Sequence, residues 1–390
     1  MKVILGFIPL LDCASLVVAA ERGFAAAEDL ELTLVRETSW ANIRDRVVVG
    51  HFDAAHMLGP MTVASTLGIG HVKVPVIAPF ALGLGGNAIT VSLRLWEQMS
   101  AACDPAPPGT HAAATAISTA APSTAGAHAA ALKRVVMARE KSRREPLTFA
   151  MVYPFSCHNY ELRYWLAAAG IDPDRDVRLI VIPPPFLVDA LRAGQIDGFC
   201  VGEPWNSVAV AAGVGAIVTP TTAIWPFSPE KVLGCRLEWA QRHPKQLAAL
   251  QRALFRASLW CEKPENQADL AKLLAQPRYV GAPADLLLGA LTGRLKLTND
   301  SPPTTLENFY VPARHNATFP WVSHALWFYS QMLRWKQIEF SDAHIAAVRS
   351  TYRPDLYRAA LADVNPDIPA KDSRVDRFFD GATFDGSEFD

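Results

Sequence analysis

The chain has 390 residues, half of them apolar, with 37 Lys and Arg against 38 Asp and Glu. That is ample for a large core, and the length suggests two lobes. A net charge of −1 gives no bulk electrostatic reason to expect direct contact with nucleic acid, and no run is long and apolar enough to predict a membrane span.

Met1 and Lys2 lead directly into the apolar run from Val3 to Leu11. No charged leader or cleavage site is read ahead of the first strand, so a cytoplasmic protein is expected. Residues 3–8 read as a buried strand. Asp12 is expected to cap a helix through Leu16–Ala20 that stops at Gly23. Residues 30–35 alternate as a strand, and Ser39 or Asn42 opens a helix ended by Gly50. Short strands follow at 53–57, 74–80 and 88–92. This alternation predicts an α/β protein with crossovers.

Residues 101–131 break the rhythm. They are almost all Ala, Ser, Thr, Pro and Gly, which predicts a surface insertion that buries little. A basic helix is expected over 127–144, either a solvated face or a docking face for an acidic partner. The α/β pattern resumes with a strand at 147–152, a helix capped by Ser156 over 157–169, and strands at 177–182 and 196–201. Helices are predicted at 244–262, 266–275, 285–292 and 321–337. The tail after Pro366 reads as a wrap-around or frayed terminus.

Catalytic signatures are weak. Cys157 and His158 are sequence neighbours, but adjacent helical side chains diverge. Gly83-Leu84-Gly85-Gly86-Asn87-Ala88 formally matches a dinucleotide loop, yet it opens a strand where such a loop opens a helix. Six cysteines lack CxxC spacing and ten histidines lack a ligand motif. No metal, no cofactor and no enzymatic activity are therefore expected, and the cysteines read as reduced, buried thiols.

The positive signal is a set of donors at the junctions of loops with strands and helices. Trp40 precedes a helix, Asn87 sits on a glycine-rich corner, and His158 lies in the first turn of a helix. Val201 and Gly202 end a strand, and Lys231 follows Pro229-Glu230. Indole, amide, imidazole, backbone N–H and ammonium suit a small oxyanion. Taken singly, each has a plainer role: packing for Trp40, a turn for Asn87, a cap for His158, a surface position for Lys231.

Several segments together resemble the NrtA/CmpA-like nitrate/bicarbonate-binding family of ABC-transporter solute receptors. They are Ser39-Trp40; Asp53-Ala54-Ala55-His56-Met57-Leu58-Gly59-Pro60-Met61; His158-Asn159-Tyr160-Glu161-Leu162-Arg163-Tyr164-Trp165; Asp197-Gly198-Phe199-Cys200-Val201-Gly202-Glu203-Pro204-Trp205; Pro229-Glu230-Lys231-Val232-Leu233-Gly234; and Arg353-Pro354-Asp355-Leu356-Tyr357. The resemblance spans nearly the whole chain apart from the Ala-rich stretch. It implies a type II periplasmic-binding-protein fold, with two lobes of mixed α/β sheet around a hinge and a ligand cleft. The lobes are expected as 1–92, then 93–205 with the insertion 101–131, then 206–390 completing the first lobe.

The resemblance also implies a ligand site of Trp40, Asn87, His158, Val201, Gly202 and Lys231. Asn87 stands where the family carries glutamine, one methylene longer. Lys231 stands where bicarbonate-binding relatives carry a carboxylate and use calcium, which favours nitrate or nitrite. With no leader read, the chain resembles NasS-type cytoplasmic sensors. These are implied to hold a NasT-type ANTAR antiterminator and release it when the anion binds, regulating nitrate assimilation. The alternative is the substrate-binding component of a nitrate/nitrite ABC transporter.

Overall fold

A computed structural model describes residues 1–102 and 122–390. Two five-stranded sheets organise it. In the first, the order is Glu31–Arg36, Lys2–Phe7, Ala54–Leu58, Lys231–Arg236 and Val76–Ala81. The first three strands run parallel, and Lys231–Arg236 is antiparallel to both its neighbours. In the second, the order is Gly215–Pro220, Asn87–Ser92, Gly198–Gly202, Leu147–Met151 and Val177–Val181. There Asn87–Ser92 is the antiparallel member, pairing with both Gly198–Gly202 and Gly215–Pro220. These are the mixed sheets expected of a two-lobe binding-protein fold.

The chain passes between the sheets twice, and the passages differ from the expected boundaries at 92 and 205. Asn87–Ser92 and Gly215–Pro220 both belong to the second sheet, so the crossings lie at 82–86 and 221–230. A strand at 88–92 is legible from its apolar run, but the run carries no mark of which sheet it joins. The two crossings pair with each other: Gly85 N–H donates to Ser228 O at 2.9 Å, and Leu84 bridges Pro229. Gly85 has φ +69° and a Cβ there would lie 2.3 Å from Phe309 O, so only glycine fits this corner.

One face of the first sheet packs on the helices Ala14–Glu21, Pro244–Glu262, Pro264–Leu274 and Ala284–Thr292. A second core runs continuously from the first sheet's other face, through Val322–Arg334, into the second sheet and its helices. The tail wraps back, with Phe379 N–H donating to Ile224 O and Arg374 reaching Phe227 O.

The Ala-rich stretch differs from expectation where it is described. A helix runs Pro122–Lys141, and Ala125, Ala129 and Ala131 are buried. Ala125 O accepts the Trp165 indole N–H at 2.8 Å. Small side chains bury little area each, but they let a helix backbone come close enough for that bond. Residues 103–121 lie outside the described residues. No helix among the described residues is long and apolar enough to cross a membrane.

Candidate functional site

The site forms where the crossings land. Asn87 and Lys231 are each the first residue of the strand that follows a crossing. Lys231 pairs with Leu58, and His56 lies two residues back on that neighbouring strand. Diagonal neighbours on one sheet face approach each other, and both side chains reach Asp12, just beyond the end of Lys2–Phe7. Asp12 was expected to cap a helix. It lies instead in a short 3-10 turn and makes no capping bond. Its Oδ2 is 2.8 Å from Lys231 Nζ and its Oδ1 is 2.9 Å from His56 Nε2.

Lys231 also contacts the Glu230 carboxylate, and its ammonium lies 5.7 Å from the Trp40 ring centroid, within cation–π range. Trp40 opens its helix behind Ser39, whose Oγ accepts from Asn42 N–H at 3.2 Å. The Trp40 ring sits 5.4 Å from that of His56. From the second lobe, Ser156 caps Cys157–Ala168 and places His158 in the first turn. His158 Nε2 is 3.7 Å from Glu230 Oε2.

Asn87 faces Gly202 across the ladder. A Cβ on Gly202 would lie 3.1 Å from Asn87 Oδ1 and 3.8 Å from Asp12 Oδ2, so a side chain there would crowd the centre of the cluster. Val201 is the least committed of the six: its side chain is buried and its carbonyl accepts the Asn206 amide at 2.9 Å. Trp40, Asn87, His158, Gly202 and Lys231 thus come together around Asp12 and Glu230, and Val201 adjoins them through the backbone.

Every residue of this cluster is buried, Asp12 being the most exposed at 5%. Among the described residues, Trp40 Nε1 and both His158 ring nitrogens have no hydrogen-bond partner. Neither amide atom of Asn87 meets hydrogen-bond geometry, though the amide lies near enough to Glu161 and Glu230 to offset part of the upward shift of both carboxyls. Buried polar groups normally find partners, so these unpartnered atoms mark the cluster as a candidate binding site.

The electrostatics are less simple than one fixed cation. Burial opposes the Lys231 charge, but Asp12 and Glu230 outweigh it and hold the lysine protonated. Burial likewise opposes ionisation of Asp12, and Lys231 with His56 overcome it, keeping Asp12 below its ordinary value. His158 is pushed far down by burial and then by Lys231, so it is a neutral imidazole; His56 is lowered by burial. Glu161 is driven well up by burial and by Glu230. Burial raises Glu230 against the pull of Lys231. The lysine's charge is therefore already matched within the protein.

Sequence reasoning missed Asp12, His56, Glu161 and Glu230 as members of this cluster. His56 carried a signal, being a lone imidazole in an apolar strand. Glu161 and Glu230 carried none beyond their neighbours. The Cys157–His158 pair is not an activated nucleophile: burial and the nearby Glu230 push the thiol well up, and its S–H donates to Glu230 O at 3.5 Å. All five described cysteines are free and buried, and no group of ligands suited to a metal is present among the described residues.

Comparison with known proteins places this architecture. Residues 1–275 match the model of the NMT1-like family. The chain is 34% identical over 397 residues to the nitrate/nitrite binding protein NrtA of Synechococcus elongatus, covering 98% of this chain and 83% of that protein. It is 35% identical over 388 residues to the bicarbonate transport ATP-binding protein CmpC of Synechocystis, covering 98% of this chain and 53% of CmpC. The chain thus spans about half the length of that relative. The crystal structure of the periplasmic nitrate-binding protein NrtA from Synechocystis superposes with a TM-score of 0.88 at 29% identity, covering 100% of this chain and 96% of that one. With the family model matching 1–275 and the alignments covering nearly the whole chain, the protein belongs to the NMT1-like family and, within it, to the NrtA/CmpA-like solute-binding proteins.

Proposed function

We propose that the chain is a nitrate/nitrite receptor that works as a cytoplasmic sensor. It holds a NasT-type ANTAR antiterminator and releases it when the anion binds, regulating nitrate assimilation. The observation that carries the ligand assignment is the set of unpartnered buried polar atoms, the Trp40 Nε1 donor and the two His158 ring nitrogens, one of which carries the proton, gathered beside Lys231. Nitrate is planar and weakly basic, so its recognition needs several oriented N–H donors, and the neutral His158 supplies one. NrtA, the relative named for nitrate and nitrite, supports the same ligand. Lys231 speaks against bicarbonate, in line with the carboxylate expected at that position in bicarbonate binders.

Support for the sensor role is less direct. Five free, buried cysteines suit a reducing compartment, and a near-neutral net charge leaves RNA contact to the partner. The anion acts by favouring one arrangement of the lobes over another. A second reading, the substrate-binding component of a nitrate/nitrite ABC transporter, is favoured by the likeness to periplasmic NrtA. Nothing in the cluster calls for catalysis, so a non-enzymatic role is proposed.

The test is a thermal-shift titration with nitrate, nitrite, bicarbonate and chloride, repeated with Lys231→Ala and His158→Ala. At 100 times its dissociation constant, a ligand of the folded state adds about 2.7 kcal/mol. Stabilisation by nitrate or nitrite that disappears in both variants supports the site; no response to either anion rejects it. Co-purification with an ANTAR protein, lost on adding nitrate, separates sensor from transporter component.

A further inference from the structure

Glu230 sits between two of the donors assigned to the anion. Its carboxylate contacts Lys231, and its Oε2 is 3.7 Å from His158 Nε2. In this geometry a carboxylate of the chain itself stands where an oxyanion would be held. We propose, building on the anion-receptor reading, that Glu230 is the specificity-determining residue that couples anion binding to uptake of one proton: nitrate is accepted when the Glu230 carboxyl is protonated and withdraws its charge from Lys231.

The argument is a charge count. Asp12 and Glu230 both lie against Lys231, so the ionised cluster already carries one negative charge in excess. A monoanion added to this buried cluster would make that excess two, which a low-dielectric site disfavours strongly. One proton returns the excess to the single charge the cluster carries without the anion.

The other facing groups do not supply that proton as readily. Asp12 is held ionised by Lys231 and by His56 on the adjoining strand. On the Cys157–Ala168 helix, His158 is strongly disfavoured as a cation and Cys157 is a neutral thiol. Glu161, on the same helix, makes no ion pair among the described residues; burial and Glu230 favour its protonated form over the weaker pull of Lys231. Cys200 and Tyr352, which also feel Glu230, are buried and neutral. Glu230 is the carboxyl poised between the two states, raised by burial and lowered by Lys231. The same logic predicts selectivity for weakly basic anions. A more basic anion would compete with Glu230 for the proton itself.

The test is isothermal titration of the full chain with sodium nitrate from pH 6 to 9, in two buffers of different ionisation enthalpy. The expected result is a Kd that rises toward tenfold per pH unit at the alkaline end, with net uptake approaching one proton per nitrate. Glu230→Gln, which keeps the shape and cannot ionise, is expected to bind nitrate with an affinity that changes less than about twofold across the same range. Nitrate binding with no pH dependence and no proton uptake in the unaltered chain overturns the proposal and leaves the anion site standing. An unchanged pH slope in Glu230→Gln overturns the assignment to this residue. No nitrate binding at any pH overturns the anion reading and this proposal together.

Discussion

Two kinds of ion pair in this molecule use the same chemistry with opposite consequences. On the surface, Arg242 and Glu238 lie 2.6 Å apart one helical turn from each other, with side chains 71% and 61% exposed. In the buried cluster, Lys231 meets Asp12 at 2.8 Å with side chains 0% and 7% exposed. The surface pair trades one well-solvated arrangement for another and contributes little. The buried pair is shielded from water, so each member depends on the other, and a change in one is felt by the whole cluster. A site that responds to one added charge needs the second arrangement.

The comparison is broken most severely by removing the shared cation. Lys231→Ala leaves Asp12 and Glu230 buried without a counter-ion and is expected to cost about 3–5 kcal/mol, read from urea unfolding at neutral pH. Retention of wild-type stability would show that water reaches the cluster freely.

A second carboxyl sharpens the point because it has no cation. Burial raises Glu203 from 4.5 to about 7, opposed by the Ser207 backbone N–H and side chain and by Asn206. The folded state therefore keeps a proton that the unfolded chain gives up. Stability is unaffected by this group below about pH 4.5, falls between there and pH 7, and carries the full penalty above. The loss is roughly 3 kcal/mol. Glu203→Gln is expected to remove that segment of the stability–pH curve.

A smaller effect is expected at the Ala-rich helix. Trp165→Phe removes the indole N–H held by Ala125 O and should cost about 1 kcal/mol, measured by thermal unfolding. The smallest belongs to the surface pair. Arg242→Ala should change stability by less than about 0.5 kcal/mol, with no further change in 1 M salt.

The legible parts of this chain were those encoded locally. Ser39 and Ser156 announced their helices because an N-cap works through a bond to the third residue on. The strand–helix alternation gave the α/β class, and the ordered segments gave the family. What stayed hidden was long-range. The antiparallel entry of Asn87–Ser92 into the second sheet follows from where the crossing lands, which no local pattern records. Asp12 looked like a cap because its partners, Lys231 and His56, are distant in sequence. The helix from Pro122 looked like an unburied insertion because alanine is weakly hydrophobic, whereas its packing follows from close backbone approach. The six candidate residues were named through the family likeness; the structure supplies the carboxylates that surround them.

The placement of Asn87 and Lys231, each the first residue past a crossing, has a mechanical consequence. If the lobes turn on the paired crossings, these two side chains sit close to the axle, where a rotation moves atoms least. The outer surfaces sit at the end of the lever, where the same rotation moves atoms most. A small change at the pivot would thus be magnified at the rim without the side chains at the pivot having to travel.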